Sequence, residues 1–212
     1  MHALDVHADS FATSSELSSY YVEGFVKPLD VISALNGAKI SFVLVGLYGI
    51  GGWIHKPRAT QDVDVLVSPR QHNKAVDRLT NSFPHLQPDN LSDGTVLRES
   101  KSKRAVIDVK RSNGPLYRHT LKHSRIVKFS GQTFGIPSLE MALAMRFAVM
   151  VSPDRPWHDK YQAAHDFIRM ARSNPKANLK QLRQLGELVH VEGGKQLVEM
   201  VRRVRAGEKL LL

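Results

Sequence analysis

The sequence predicts an α/β domain followed by an all-helical C-terminal region. In the first part, short apolar runs with a strand-like period alternate with segments of helical period. After Pro137 the apolar residues recur at helical spacing, and prolines and glycines separate the segments. The 212 residues suffice for one sizeable core and a small helical appendage. We therefore expect a flexible arm over residues 1–19, an α/β domain over 20–136 and a helical region over 137–212.

The first elements after the arm are predicted to be a helix, a buried strand, a short helix and a second strand. Residues 20–36 have the spacing of an amphipathic helix that restarts at Pro28. Residues 41–45 form a short apolar run that ends at a glycine, which is typical of a buried strand. A short helix is expected over 47–53, and residues 61–67 begin with the alternation of a strand.

The segment after this second strand carries the signals of a helix start. Ser68 is expected to cap the helix, and Pro69 is expected to occupy its first turn. Gln71 would complete a capping box, and the helix would end near Asn81.

The remaining elements are four strands, a short helix and four longer helices. The strands are predicted at 95–99, 105–110, 125–129 and 132–136, the last two around the hairpin turn Ser130-Gly131. The helices are predicted at 115–122, 138–151, 157–172, 178–190 and 195–205.

Composition excludes several classes of function. The chain has no cysteine, so disulfides, thiolate metal sites and thiol nucleophiles are excluded. No apolar run approaches the roughly 20 residues that span a bilayer. Residues 1–19 contain no Lys or Arg, unlike the start of a secretory signal. We expect a cytoplasmic protein without a membrane partner.

The net charge of +10 is concentrated in the middle of the chain. Residues 98–128 contain 10 basic and 2 acidic residues, a balance of +8. A polyanion such as RNA would bind most readily to this stretch. The alternative is a solvated basic face without a partner.

Two aspartates on the second strand carry the chemistry. Residues two apart on a strand share a face, so the carboxylates of Asp62 and Asp64 are expected to project together. Two such charges repel each other unless a cation lies between them. Mg²⁺ prefers hard oxygen ligands and often binds through carboxylates and substrate phosphates. The spacing therefore predicts a metal site.

Asp108 is the candidate for a third acid at this site. It lies in the apolar run 105–109, where a charge is costly unless it is paired or bound to a metal. The alternative is that the basic flanks, Arg104, Lys110 and Arg111, neutralise it as a salt-bridged acid of the strand.

Residues on either side of the short helix predicted at 47–53 favour an anionic ligand. Gly46 joins a strand to a helix, and a glycine there lets backbone amides approach a phosphate. Arg58 and Thr60 directly precede the acidic pair, and an arginine beside such a site binds phosphate well.

Residues 42–67, FVLVGLYGIGGWIHKPRATQDVDVLV, resemble the signature of the nucleotidyltransferase superfamily. That signature is a strand, a glycine turn, a helix and then R-x-T-x-D-h-D, where h is apolar. The chain is most similar to the small bacterial group that includes abortive-infection type toxin enzymes. The resemblance covers about residues 40–170. It implies a mixed β-sheet flanked by helices, followed by a helical tail or bundle.

The resemblance also implies roles for particular residues. Asp62 and Asp64 would bind Mg²⁺ or Mn²⁺ together with the NTP. Asp108 would activate the acceptor hydroxyl or complete a second metal site, so these three acids form the implied catalytic and metal-binding set. Nucleotide contacts are implied for four residues: Gly46, Leu47, Arg58 and Thr60. Arg146 and Asp166 stand where relatives often carry a lysine and an acid in the helical tail.

We therefore expect an enzyme that transfers a nucleoside monophosphate from an NTP to an acceptor hydroxyl. The acceptor would be tRNA or another RNA, a protein or a small molecule, and a toxin-like role would bring an antitoxin-like protein partner. One alternative is a catalytically silent domain of this fold that binds nucleotide, RNA or a protein. A second is a basic RNA-binding protein in which Asp62-Val63-Asp64 is coincidental.

Overall fold

A computed structural model describes residues 26–55 and 57–210. The predicted arm and the start of the predicted first helix lie outside the described residues. The chain divides into two compact units. The first unit comprises the described part of Met1–Gly52, together with Pro57–Asn113 and Thr120–Pro137. The second unit comprises the described part of Trp53–Lys56, Gly114–His119 and the described part of Ser138–Leu212.

Seven strands form one mixed sheet in the first unit. They are β1 (Phe42–Leu44), β2 (Val63–Val67), β3 (Leu86–Asn90), β4 (Gly94–Glu99), β5 (Ala105–Arg111), β6 (Arg125–Phe129) and β7 (Gln132–Ile136). Their order across the sheet is β3-β4-β5-β2-β1-β7-β6. β2 pairs with β5 in parallel, and β1 pairs with β7 in parallel, while the other neighbours are antiparallel. The predicted mixed α/β architecture is confirmed, with β2 near the middle of the sheet.

The helices of the first part of the described chain are α1 (Pro28–Gly37), α2 (Gly46–Ile50), α3 (His72–Ser82) and α4 (Pro115–His123). α2 continues as a 3₁₀ turn over Gly51–Trp53. α1 begins at Pro28, whose missing N–H costs nothing in the first helical turn. It packs against α3 and β7, and it buries Val31, Ile32 and Leu35 in the core. α4 divides between the two units.

The start of α3 corrects the predicted capping box. Residues 68–71 form a turn in which the Gln71 N–H donates to the Ser68 carbonyl at 3.0 Å, and the helix begins only at His72. The Gln71 side chain accepts a hydrogen bond from the Ser41 N–H at 3.3 Å instead of serving the helix. A contact distant in sequence therefore overrides the local capping signal.

The edge strand β3 is the element that the sequence pattern does not predict. Only Leu86 of its five residues is buried, and Pro88 interrupts the run. A proline lacks an N–H, so it is tolerated at the edge of a sheet, where β3 lies. The hairpin of β6 and β7 has the predicted bounds, and both residues of its turn, Ser130 and Gly131, have positive φ.

The second unit contains α5 (Leu139–Val151), α6 (Trp157–Ser173), α7 (Leu179–Glu187) and α8 (Gly193–Arg205). The Ser138 hydroxyl caps α5, and the Asn178 side chain caps α7 by accepting two backbone N–H groups at 3.1 Å each. A Cβ on Gly186 would lie 2.5 Å from the Gly193 carbonyl oxygen, so these glycines allow α7 and α8 to meet closely. None of the helices in the described part of the chain combines the length and the apolarity needed to cross a membrane.

Candidate active site

The candidate site lies on the two parallel strands β2 and β5. Their register places Asp64 opposite Asp108. Lys110 Nζ lies 3.0 Å from Asp64 Oδ1 and is also hydrogen-bonded to the Asp108 carboxylate. One ammonium group therefore joins two of the three acids that the sequence singles out, Asp64 and Asp108.

The strand period explains why these three side chains meet. Asp108 and Lys110 are two residues apart on β5, so they share one face of the sheet. The residues that alternate with them, Ile107 and Val109, are fully buried in the core. The exposed fractions of the Asp64, Asp108 and Lys110 side chains are 14 %, 24 % and 27 %, so all three are shielded without being sealed from solvent.

Burial and neighbouring charges raise the pKa of two of these groups, Asp108 and Lys110, for different reasons. Burial raises the pKa of Asp108; the charge of Lys110 opposes that rise, and the charge of Asp64 adds to it. For Lys110, burial favours the neutral amine, but the carboxylates of Asp64 and Asp108 outweigh it and raise the pKa above its ordinary range. Lys110 is therefore a permanent cation near neutral pH.

Gly46 lies directly against Asp64. Its φ is +57°, and a Cβ placed on it would lie 1.8 Å from Asp64 Oδ2. Beside it, the Val45 N–H donates to the Asp64 carbonyl at 2.9 Å. Only glycine fits this junction, because the backbone is left-handed and the carboxylate fills the space of a side chain.

The other predicted site residues lie on the segment before β2 and in α2. Asp62 precedes β2, and the Thr60 hydroxyl donates to its carboxylate. Arg58 donates to the Ala59 carbonyl at 3.3 Å. The Leu47 side chain is buried in the core at 6 % exposure, so only its backbone is available to a ligand.

The acids suit a divalent ion by donor type, since carboxylate oxygens are the hard ligands that Mg²⁺ prefers. Among residues 26–55 and 57–210, no group of three or more His, Cys, Asp or Glu side chains is close enough to hold a metal ion. Mg²⁺ commonly takes one or two carboxylates and completes its shell with phosphates and water, so a third protein ligand is not required. The three-acid metal set stays a prediction. Of the basic residues that the alternative reading offers as partners of Asp108, Lys110 forms an ion pair with it.

The second unit joins the two tail residues that the resemblance singles out. Arg146 on α5 and Asp166 on α6 form an ion pair at 3.2 Å. The Asp166 side chain is only 1 % exposed, so the pair lies inside this unit. Sequence spacing alone does not bring them together, because they come from different helices.

Comparison with known proteins places the fold. No protein-family model matches the sequence, and no curated protein matches it. The crystal structure of ANT(2″)-Ia in complex with adenylyl-2″-tobramycin matches with a TM-score of 0.50 at 11 % identity, over 82 % of this chain and 93 % of that one. The chain has a nucleotidyltransferase-like fold.

Two further solved structures match less closely. The solution structure of ANT(2″)-Ia has a TM-score of 0.48 at 11 % identity, over 74 % of this chain and 85 % of that one. An antigenic nucleotidyltransferase-like protein from Paracoccidioides brasiliensis has a TM-score of 0.46 at 15 % identity, over 86 % of this chain and 93 % of that one.

Proposed function

We propose that this protein is a metal-dependent nucleotidyltransferase that moves a nucleoside monophosphate from an NTP to an acceptor hydroxyl and releases pyrophosphate. The observation that carries the proposal is the pairing of Asp64 with Asp108 in register on adjacent strands, with Gly46 packed against Asp64. The nucleotidyltransferase-like fold supports it.

The substrate phosphates would be bound from two sides. Asp62 and Asp64 are the residues that would hold Mg²⁺ or Mn²⁺, and the ion would neutralise charge on the phosphates. Gly46 and Leu47 would offer backbone N–H groups at the strand–helix junction, and Arg58 would contact the phosphates from the segment before β2. Thr60 holds the Asp62 carboxylate through its hydroxyl.

Asp108 is suited to accept the proton of the acceptor hydroxyl. Its pKa is raised, chiefly by burial, and a carboxylate with a raised pKa is a stronger base. As the proton passes to Asp108, the acceptor oxygen bonds to the α-phosphorus. The bond from that phosphorus to the oxygen bridging to the β-phosphate breaks, and pyrophosphate leaves with the electron pair.

The acceptor class follows from charge. Three basic residues of the stretch 98–128 are already engaged in ion pairs: Arg98 with Asp89, Arg104 with Glu99, and Lys110 at the site. Exposed cations remain at Lys101, Lys103, Arg118, Lys122 and Lys128. They favour tRNA or another RNA as acceptor over a protein or a small molecule. A toxin-like RNA-modifying role, restrained by an antitoxin-like protein, would follow from such an acceptor.

The second candidate function is a catalytically silent domain that binds nucleotide, RNA or a protein partner. The ammonium of Lys110 on Asp64 and Asp108 favours this candidate, because it occupies the acids without help from a metal. It predicts nucleotide binding without transfer.

Labelled NTPs test both candidates. The protein is incubated with Mg²⁺ and total RNA or cell lysate, using NTPs labelled on the α-phosphate and, separately, on the γ-phosphate. Nucleotidyl transfer places the α label, and not the γ label, on one class of macromolecule, and a chelator abolishes it. Asp64→Asn is expected to remove the label because it removes a charge at the site without changing its size.

Asp89→Asn is the matched control, since Asp89 is an exposed acid of the edge strand β3 that pairs with Arg98. It is expected to label like wild type. Label that survives in Asp64→Asn contradicts the assigned site. Bound nucleotide without any transferred label, across RNA, protein and small-molecule fractions, favours the silent domain.

A further inference from the structure

We propose that Lys110 is a built-in counterion that takes the place of one divalent ion between Asp64 and Asp108, so that the site binds one metal ion rather than two. This inference rests on the proposed function. It assigns Lys110 as a positioning residue, which acts by holding the two acids and not by touching the substrate.

The position of the ammonium group carries the argument. Lys110 Nζ lies 3.0 Å from Asp64 Oδ1 and is hydrogen-bonded to Asp108 Oδ2. A metal ion bridging the two carboxylates would approach their oxygens to about 2.0–2.1 Å and would need the same space. An ammonium ion and a metal ion cannot share it. A bridging metal therefore requires that Lys110 leave both partners.

The neighbouring cations are engaged elsewhere, so Lys110 is specific to this position. Arg104 pairs with Glu99 on the adjacent strand β4. The Arg111 guanidinium donates to the carbonyls of Leu91 and Ser92 in the loop between β3 and β4. Of the three basic residues that flank Asp108, Lys110 is the one that shares its face of β5 at a spacing of two.

The positive charge of Lys110 offsets the repulsion between the Asp64 and Asp108 carboxylates. Asp64 and Asp108 face each other across the strand pair and would repel without a cation. Lys110 supplies one positive charge at this point. Asp108 is then held as a proton acceptor and is not used as a metal ligand, which leaves Asp62 and Asp64 as the carboxylates for a single ion.

Counting bound Mn²⁺ tests the inference without measuring activity. Mn²⁺ is titrated into the full chain in the presence of a non-hydrolysable NTP analogue, and free Mn²⁺ is followed by electron paramagnetic resonance. We expect about one tight Mn²⁺ in wild type, and about two in Lys110→Met, because the vacated space lies between two carboxylates. Lys110→Arg keeps the charge and is expected to stay at one.

Two control variants distinguish the effect of emptying the space of the Lys110 side chain from the effect of losing one positive charge anywhere on the protein. Lys74→Met removes an exposed lysine of α3 and is expected to stay at one ion. The double variant Lys110→Met/Asp108→Asn removes a carboxylate as well, so it is also expected to stay at one. If Lys110→Met is too unstable to purify, Lys110→Met and Lys110→Arg are each refolded with and without Mn²⁺. The increase in recovery that Mn²⁺ produces is expected to be at least tenfold larger for Lys110→Met than for Lys110→Arg.

Two ions in wild type, or one ion in both wild type and Lys110→Met, would overturn the role of Lys110 while leaving the proposed function intact. In the refolding experiment, equal recovery of Lys110→Met with and without Mn²⁺ would likewise overturn the role of Lys110. No ion in wild type but one in Lys110→Met would support the counterion role and contradict metal-dependent transfer. No ion in either protein would contradict both.

Discussion

Replacing Gly46 with alanine is expected to disable the site by displacing the Asp64 carboxylate. The added methyl group would lie 1.8 Å from Asp64 Oδ2, whereas ordinary contact begins at 3.4 Å. The carboxylate must therefore retreat by about 1.6 Å, the difference between these two distances. That movement breaks its 3.0 Å contact with Lys110.

The expected loss of stability has two parts. Holding a non-glycine residue at a φ of +57° costs about 1–2 kcal/mol. Disrupting the ion pair costs about 1–3 kcal/mol, which is below the value for a sealed pair because the Lys110 side chain is 27 % exposed. The free energy of unfolding of Gly46→Ala should thus fall by about 2–5 kcal/mol in total.

Gly131→Ala measures the backbone cost without the loss of an ion pair. Gly131 has a φ of +73°, and nothing lies within 4 Å of the position that an added methyl group would take, so only the backbone cost of about 1–2 kcal/mol applies. Urea unfolding measures both variants, and Mn²⁺ binding and label transfer measure the site. Gly46→Ala should lose Mn²⁺ binding and label transfer, and Gly131→Ala should keep both. Equal stability loss and equal Mn²⁺ binding in the two variants would refute the placement of Gly46 against a functional Asp64.

Three further changes test other contacts. Arg146→Met leaves the buried Asp166 without its 3.2 Å partner, so urea unfolding should show a loss of about 3–5 kcal/mol, most of which the double variant with Asp166→Leu should restore. Asn178→Ala removes the cap of α7 and should cost about 1 kcal/mol in the same assay, and no measurable loss would contradict the capping role. Because the folded pKa of Lys110 is raised, its contribution is complete below about pH 10.4 and declines above it. The difference in Tm between wild type and Lys110→Met should therefore be constant from pH 8 to 10 and shrink at higher pH, whereas a constant difference throughout would contradict the ion pair.

Much of the sheet could be predicted because its central strands carry strong local signals. β2 and β5 are bounded apolar runs, and the Ser130-Gly131 turn needs the positive φ that it has. β3 could not be predicted, since a largely exposed strand containing Pro88 has no buried face to produce a pattern. The false capping box at Ser68 fails for another reason, because Gln71 is used by Ser41.

The site shows the same division between local and long-range information. Strand period predicts that Asp62 and Asp64 share a face, and burial cost singles out Asp108. The register that sets Asp64 opposite Asp108 depends on pairing between distant strands, which no local pattern encodes. The choice of Lys110 over Arg104 and Arg111 likewise depends on where Glu99 and the loop carbonyls lie in space.

The parallel pairing of β2 with β5 has a consequence for incomplete chains. Gly46 and Asp64 are translated first, but Asp108 and Lys110 arrive only with β5, after the β3–β4 hairpin. A ribosomal product that stops before β5 contains Asp64 but neither Asp108 nor Lys110. The strand pair that carries the candidate site is therefore incomplete until synthesis has passed the middle of the chain.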